Sequence, residues 1–173
     1  PGNGTIPALD SRRYDLAREA GRRIVDLFKK DLKFRDILTK KAMDNAFAVD
    51  MALGGSTNTA LHLPAISYEA GFKYELKKIN QISAKVPHLC QLAPGGPDHI
   101  QDLDRAGGIQ AVMNELAKAD LLDTSLPTVT LRTVGENIAG KVVTNSEVIR
   151  PCNNPRHKTG GLAILFGNIA KDG

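Results

Sequence analysis

Apolar positions recur at helical spacing through most of residues 11–119 and shift toward alternation beyond residue 127. Leu16, Ala20, Ile24, Leu27 and Phe28 fall every three or four positions, which predicts an amphipathic helix to about residue 30, capped by Asp10 or Ser11. A short helix is expected over 34–38. Thr39 is placed to cap a stronger one, in which Ala42, Met43, Ala46, Phe47, Val49, Met51, Ala52 and Leu53 leave almost no polar face. A helix that is apolar nearly all round is a buried one. Gly54-Gly55 ends it, since glycine accepts the left-handed C-terminal cap. Ser56, Thr57 or Asn58 then caps a helix expected to run to about Ala70 and stop at Gly71, bent at Pro64, which lacks an amide donor. Residues 75–84, 98–105 and 109–119 read as further helices, the last with Ile109, Val112, Met113 and Leu116 on one face. Residues 86–92 read as a strand or a buried extended connector, and 93–97 as a turn.

From Thr128 the pattern changes. Residues 128–134 alternate at period two, and 141–144, 147–149 and 161–166 are short β-type runs between turn residues. A boundary is therefore expected near Pro127, with a helix-rich part (1–127) and a strand-rich part (128–173), an α/β chain overall. The second part has 46 residues, too few for a self-sufficient β domain. Its strands are expected to pack poorly or to pair with another chain through an exposed edge.

Composition narrows the class. Hydrophobic residues are 42% of the 173, aromatics only 5%, and Trp is absent, so the core is mostly aliphatic. No apolar run approaches the roughly 18 residues that span a bilayer, and no secretory leader pattern opens the chain. The net charge of +4 is carried partly by Arg12, Arg13, Arg18, Arg22, Arg23, Lys29 and Lys30. Asp15, Glu19 and Asp26 are interleaved with them, the pattern of a solvated helix face rather than of a nucleic-acid stripe. Cys90 and Cys152 belong to no CxxC pair, and such sparse cysteine use fits a reducing cytoplasm. Asp98, His99, Asp102 and Asp104 resemble a metal-binding run, but acidic residues are equally at home in the first turn of a helix, the reading favoured here. The first residues, Pro1 to Gly4, and the last, Lys171 to Gly173, read as loops, and an internal piece of something longer is expected.

The most informative stretch is Gly54-Gly55-Ser56-Thr57-Asn58. It joins the end of one apolar helix to the start of another, where unpaired amides and the positive end of the dipole face outward. Two glycines admit a close approach to the backbone, and three short polar side chains surround it. Such a corner suits a carboxylate, a phosphate or the edge of a cluster, and equally suits a well-capped helical turn with no ligand. His62 follows Asn58 by four positions, on the same face; a hydrogen-bonded histidine is the plainer reading than a catalytic one.

The run from Asp50 to Leu63, followed by Ala65-Ile66 and Glu69-Ala70-Gly71, resembles the dihydroxy-acid / sugar-acid dehydratase family. So do Pro1–Thr5, Val86–Pro94, Asp102–Gly108, Gly135–Asn137 and Thr159–Asn168 with Asp172-Gly173, in the family's order. Within the family, Asn58–Leu63 looks closer to the branched-chain amino-acid enzyme than to the 6-phosphogluconate enzyme. The resemblance implies a remnant of an N-terminal α/β domain followed by the first strands of a C-terminal, barrel-like swivelling domain. It implies a dimeric hydro-lyase that converts a small 2,3-dihydroxy acid to a 2-keto acid with an iron–sulfur cluster and Mg2+. The family's cluster cysteines, its magnesium ligands and its proton-abstracting serine lie in motifs absent from this sequence. No catalytic or metal-binding residue is therefore assigned here, and neither cofactor is expected on this chain alone. Gly54, Gly55, Ser56, Thr57 and Asn58 are the residues expected near the substrate or the cluster. The alternatives are a segment of an aldonic-acid or 6-phosphogluconate dehydratase, and a self-contained helical module that binds an anion at the 56–59 helix start.

Overall fold

A computed structural model describes residues 2–171. Pro1 and the Asp172-Gly173 turn lie outside the described residues. Among the described residues, a 3-10 turn at Asn3–Thr5 precedes eight helices: α1 Arg12–Lys29, α2 Phe34–Ile37, α3 Lys40–Leu53, α4 Thr57–Glu69, α5 Leu76–Ser83, α6 Ile100–Arg105, α7 Gly108–Lys118 and α8 Val134–Ile138.

The core is built around α3. Met43, Phe47, Ala48, Met51 and Ala52 are buried on it, against Ile79 and Ile82 of α5 and Ala111, Val112 and Leu116 of α7. Phe47 stacks on Tyr74, ring centroids 5.2 Å apart. The nearly continuous apolar surface of α3 is thus covered on several sides, as its pattern requires. Thr39 caps it by accepting the Ala42 amide at 3.2 Å. Leu89 and Cys90, in the extended connector, donate their amides to the carbonyl of Ala52 at the end of α3. The N-terminal loop is held to α6, with the Thr5 hydroxyl donating to one Asp104 oxygen and Arg12 pairing with the other at 2.7 Å.

α1 forms where the pattern places it, but its apolar face finds little cover among the described residues. Leu27 is buried, whereas Ile24 and Phe28 are 62% and 85% exposed. Its arginines pair along the helix, Arg18 with Asp15 and Arg23 with Glu19 and Asp26. No helix among the described residues is long and apolar enough to cross a membrane.

The chain is helix-rich, and the strands expected after residue 127 do not form among the described residues. Each departure has a local cause. Over 128–134 the alternating threonines turn inward on the loop: Thr128 accepts from Asn137 and donates to the Arg132 carbonyl, and Leu131 takes a left-handed φ of 63°. Val134 then opens α8, whose box is Thr133 with Glu136, each accepting the other's amide at 3.1 and 2.7 Å. Residues 141–144 take no regular structure and meet the end of α6, where the Thr144 amide donates to the Ala106 carbonyl. Residues 147–149 form a turn led by Asn145, and Val148 and Ile149 bury themselves in the core that α3 and α7 share. Residues 161–166 form no strand, and their hydrogen-bonding partners are on helices. The bridges that do occur are isolated: His88 with His157, Leu92 with Asp98, and Pro127 with Thr133.

Candidate functional site

The corner at 54–58 is where α3 hands over to α4. Gly54 caps α3 with φ 115° and Gly55 follows at φ 77°, so the chain reverses in two residues that tolerate the left-handed region. Ser56 caps α4, its hydroxyl accepting the Asn58 amide at 3.2 Å. Thr57 and Asn58 are exposed, as is His62 one turn on. The corner leaves the side chains of Thr57 and Asn58 open to solvent.

Asp50, in the last turn of α3, gives the corner its electrostatics. Its backbone carbonyl receives the Gly55 amide at 2.8 Å. Its carboxyl accepts the Thr59 hydroxyl at 2.9 Å. The α4 N-terminus is therefore already faced by a carboxylate from within the chain, which counts against a stand-alone anion site there. Burial pushes the Asp50 carboxyl above its ordinary value, and the bonds from Thr59 and Ser56 oppose this only in part. Thr59 Oγ1 lies 2.5 Å from the Ser56 carbonyl as well as 2.9 Å from Asp50 Oδ2, so its one proton is shared between two acceptors.

Beneath the corner lies a histidine pair. The rings of His88 and His157 stack 5.3 Å apart, and their backbones exchange bonds at 3.0 and 3.4 Å. A Cβ placed on Gly54 would stand 2.9 Å from His88 Nε2. That nitrogen is buried without a hydrogen-bond partner among the described residues, as is Arg156 Nε. Burial, helped by the nearby His157 and Arg156, holds the His88 imidazole below its ordinary value against a backbone bond to Cys90.

On the other side, the extended segment 160–164 presses on the same two glycines. A Cβ on Gly161 would come within 2.5 Å of the Gly54 Cα, and one on Gly55 within 2.7 Å of Leu162 Cβ. Sequence reasoning passed over Asp50, His88 and Gly160-Gly161 as site elements. Gly160-Gly161 is one of four Gly-Gly pairs in the sequence, with 54–55, 95–96 and 107–108, and only the fold shows which two of them cross.

The other candidates disperse. Asp98 lies 3.8 Å from Arg156, Asp102 accepts the His99 amide at the start of α6, and Asp104 binds Thr5 and Arg12. The cysteines do not suit an iron–sulfur cluster. Cys90 is fully buried with its thiol pushed up to about 12 by that burial, and Cys152 contacts the Glu115 carbonyl at 3.5 Å. A groove of about 640 Å³ runs along α1, lined by residues including Arg13, Leu16, Arg23 and Val129, and takes in none of the corner residues.

The described residues thus place a capped helical corner with an internal carboxyl at the end of a buried helix. Comparison with known families places the chain. Residues 1–137 match the family model described as dihydroxy-acid/6-phosphogluconate dehydratase N-terminal, and the chain belongs to this family. Over all 173 residues it is 60% identical to the dihydroxy-acid dehydratase of Caldicellulosiruptor bescii, 56% to that of Desulfatibacillum aliphaticivorans and 54% to that of Moorella thermoacetica. The chain spans 31% of the length of each of these relatives.

Proposed function

We propose that this chain is a segment of a hydro-lyase that dehydrates small 2,3-dihydroxy carboxylic acids to 2-keto acids in branched-chain amino-acid biosynthesis. The observation that carries the reading is identity of 54–60% along the whole chain to relatives named dihydroxy-acid dehydratase. The reaction removes the proton at carbon 2 and the hydroxyl at carbon 3, and the resulting enol tautomerises to the keto acid. An iron–sulfur cluster and Mg2+, implied by the family, are assigned to other segments of the longer protein, because the cysteines here do not suit a cluster. The isolated chain is expected to be inactive. The corner at Gly54–Asn58 is placed near the substrate, with Thr57 and Asn58 as its free polar arms. The division near Pro127 is kept as the opening of a second domain on the change of sequence pattern at Thr128 alone.

The test is turnover by the longer enzyme of a branched 2,3-dihydroxy acid against an aldonic acid and 6-phosphogluconate. Preference for the branched acid supports the reading. Preference for 6-phosphogluconate moves the chain to the other activity that the family description covers. For the corner, Ser56→Ala with Asn58→Ala is expected to lower kcat/KM at least about tenfold, as loss of positioning contacts does. Unchanged turnover removes it from the site.

A further inference from the structure

We infer that the extended segment 160–164 positions the 54–58 corner, and that Asn80 of α5 is the residue that holds this segment in place. The inference rests on the corner reading above only for its catalytic consequence; the mechanical part stands on geometry alone.

Segment 160–164 takes the bonds a strand would take, but from a helix. The Asn80 carboxamide reaches Ile164 on both sides, donating to its carbonyl and accepting its amide, each at 2.7 Å. This is the pair of bonds a facing strand residue makes. One turn further along α5, the Ser83 hydroxyl donates to the Leu162 carbonyl at 2.7 Å, and the Ser83 carbonyl accepts the Gly160 amide at 2.7 Å. Residues 160, 162 and 164 are thus tied to α5 at the period-two spacing of extended chain. The residue between, Gly161, turns its amide to the Met51 carbonyl of α3 at 3.3 Å.

Held there, the segment leaves the corner no freedom on that side. Cβ atoms added at Gly160, Gly161 and Gly55 would come within 2.6 Å of Met51 Cβ, 2.5 Å of Gly54 Cα and 2.7 Å of Leu162 Cβ. Carbon atoms in ordinary contact stay beyond 3.4 Å, so these crossings exist only because the residues are glycine. The two glycine pairs interlock, and a shift of 160–162 must shift the start of α4. Asn80 lies in neither pair, yet it fixes the register of one against the other.

The experiment is hydrogen exchange read by mass spectrometry on peptides covering 54–60, in the wild-type chain, Asn80→Leu, Asn80→Asp and Gly161→Ala. Ile138→Val, a buried change on α8, serves as the stability control. Loss of two hydrogen bonds should raise exchange at the corner about tenfold in Asn80→Leu, with Asn80→Asp intermediate because it keeps the acceptor for Ile164. Ile138→Val should leave the corner unchanged. Should Gly161→Ala not fold, Asn80→Leu, which introduces no backbone clash, carries the test. Faster exchange confined to 160–164, with 54–60 unchanged, overturns the inference. In the longer enzyme the same Asn80 variants should lower kcat about tenfold or more with little change in KM, and Asn80→Asp should recover part of it. Corner loosening in Asn80→Leu together with full turnover in Ser56→Ala/Asn58→Ala upholds the positioning and removes only the corner's catalytic role.

Discussion

Replacing Gly54 by alanine tests the corner where two constraints meet. Its φ of 115° is a conformation that residues with a side chain rarely adopt, which by itself costs about 1–3 kcal/mol. The new Cβ would also stand 2.9 Å from His88 Nε2. That ring is not free to swing away, because it stacks on His157 and its backbone is bridged to the same residue. Pushing it aside is overpacking, worth about another 1–3 kcal/mol. Gly54→Ala should therefore destabilise the chain by about 2–6 kcal/mol, a large part of the roughly 5–15 kcal/mol a domain possesses. The two contributions separate in a double-mutant cycle. His88→Ala alone is expected to be mild, since the nitrogen it removes is buried without a partner. In the Gly54→Ala/His88→Ala double variant the clash disappears and the backbone strain stays. The double variant should then be more stable than the sum of the single effects predicts, by about 1–3 kcal/mol. Urea unfolding followed by far-ultraviolet circular dichroism measures all four proteins. Additivity within about 0.5 kcal/mol would mean that the imidazole does not press on the corner, and the account of the histidine pair would fail.

Asp50→Asn probes the buried carboxyl. Its folded value is raised, chiefly by burial, so the stability it contributes is fully present below its ordinary value of 3.8 and is lost as pH rises through the folded value. The asparagine variant does not ionise; it should be more stable than wild type at pH 7, with the gain gone by pH 3.5, in paired thermal melts. A variant less stable than wild type only at neutral pH would show that the bonds from Ser56 and Thr59 outweigh burial. The cysteines should differ in reactivity: at pH 8 a thiol reagent should modify Cys152 well before Cys90, whose thiol is buried and pushed up to about 12. Equal rates, read by mass spectrometry of the native chain, would contradict the burial of Cys90.

The helices of the first part were legible because their signals are local. Thr39 as a cap, the apolar girdle of α3, the Gly54 stop, the bend residue Pro64 inside α4 and the Gly71 stop at φ 96° each act within one turn of where they stand. After residue 127 the same kind of signal was present but outvoted. Thr133 and Glu136 are a capping box, three apart, and they start α8 in the middle of what alternation reads as strand. Alternation shows which faces differ, and only a partner strand turns that into a sheet. At 161–166 the alternation is real, since Leu162 and Ile164 are half-buried while Ala163 and Leu165 are exposed, but the partner is the side of α5. Asn80 offered no sign of this in sequence, because a carboxamide that mimics a strand is recognisable only once the strand lies against it.

The corner's charge balance bears on what it offers a substrate. A dihydroxy acid is an anion at neutral pH, and an ionised carboxylate one turn away would repel it. Burial pushes the Asp50 carboxyl above its ordinary value, which lessens this repulsion, while Thr59 holds it beside the α4 start. The groups then left for a ligand are uncharged: the exposed Thr57 and Asn58 side chains. Such donors orient a carboxylate or hydroxyl without attracting it from a distance. If the corner lies near the substrate as proposed, the positive charge that draws the substrate in comes from other parts of the longer enzyme, and the corner contributes through how rigidly His88 from below and Gly161 from the side keep it in place.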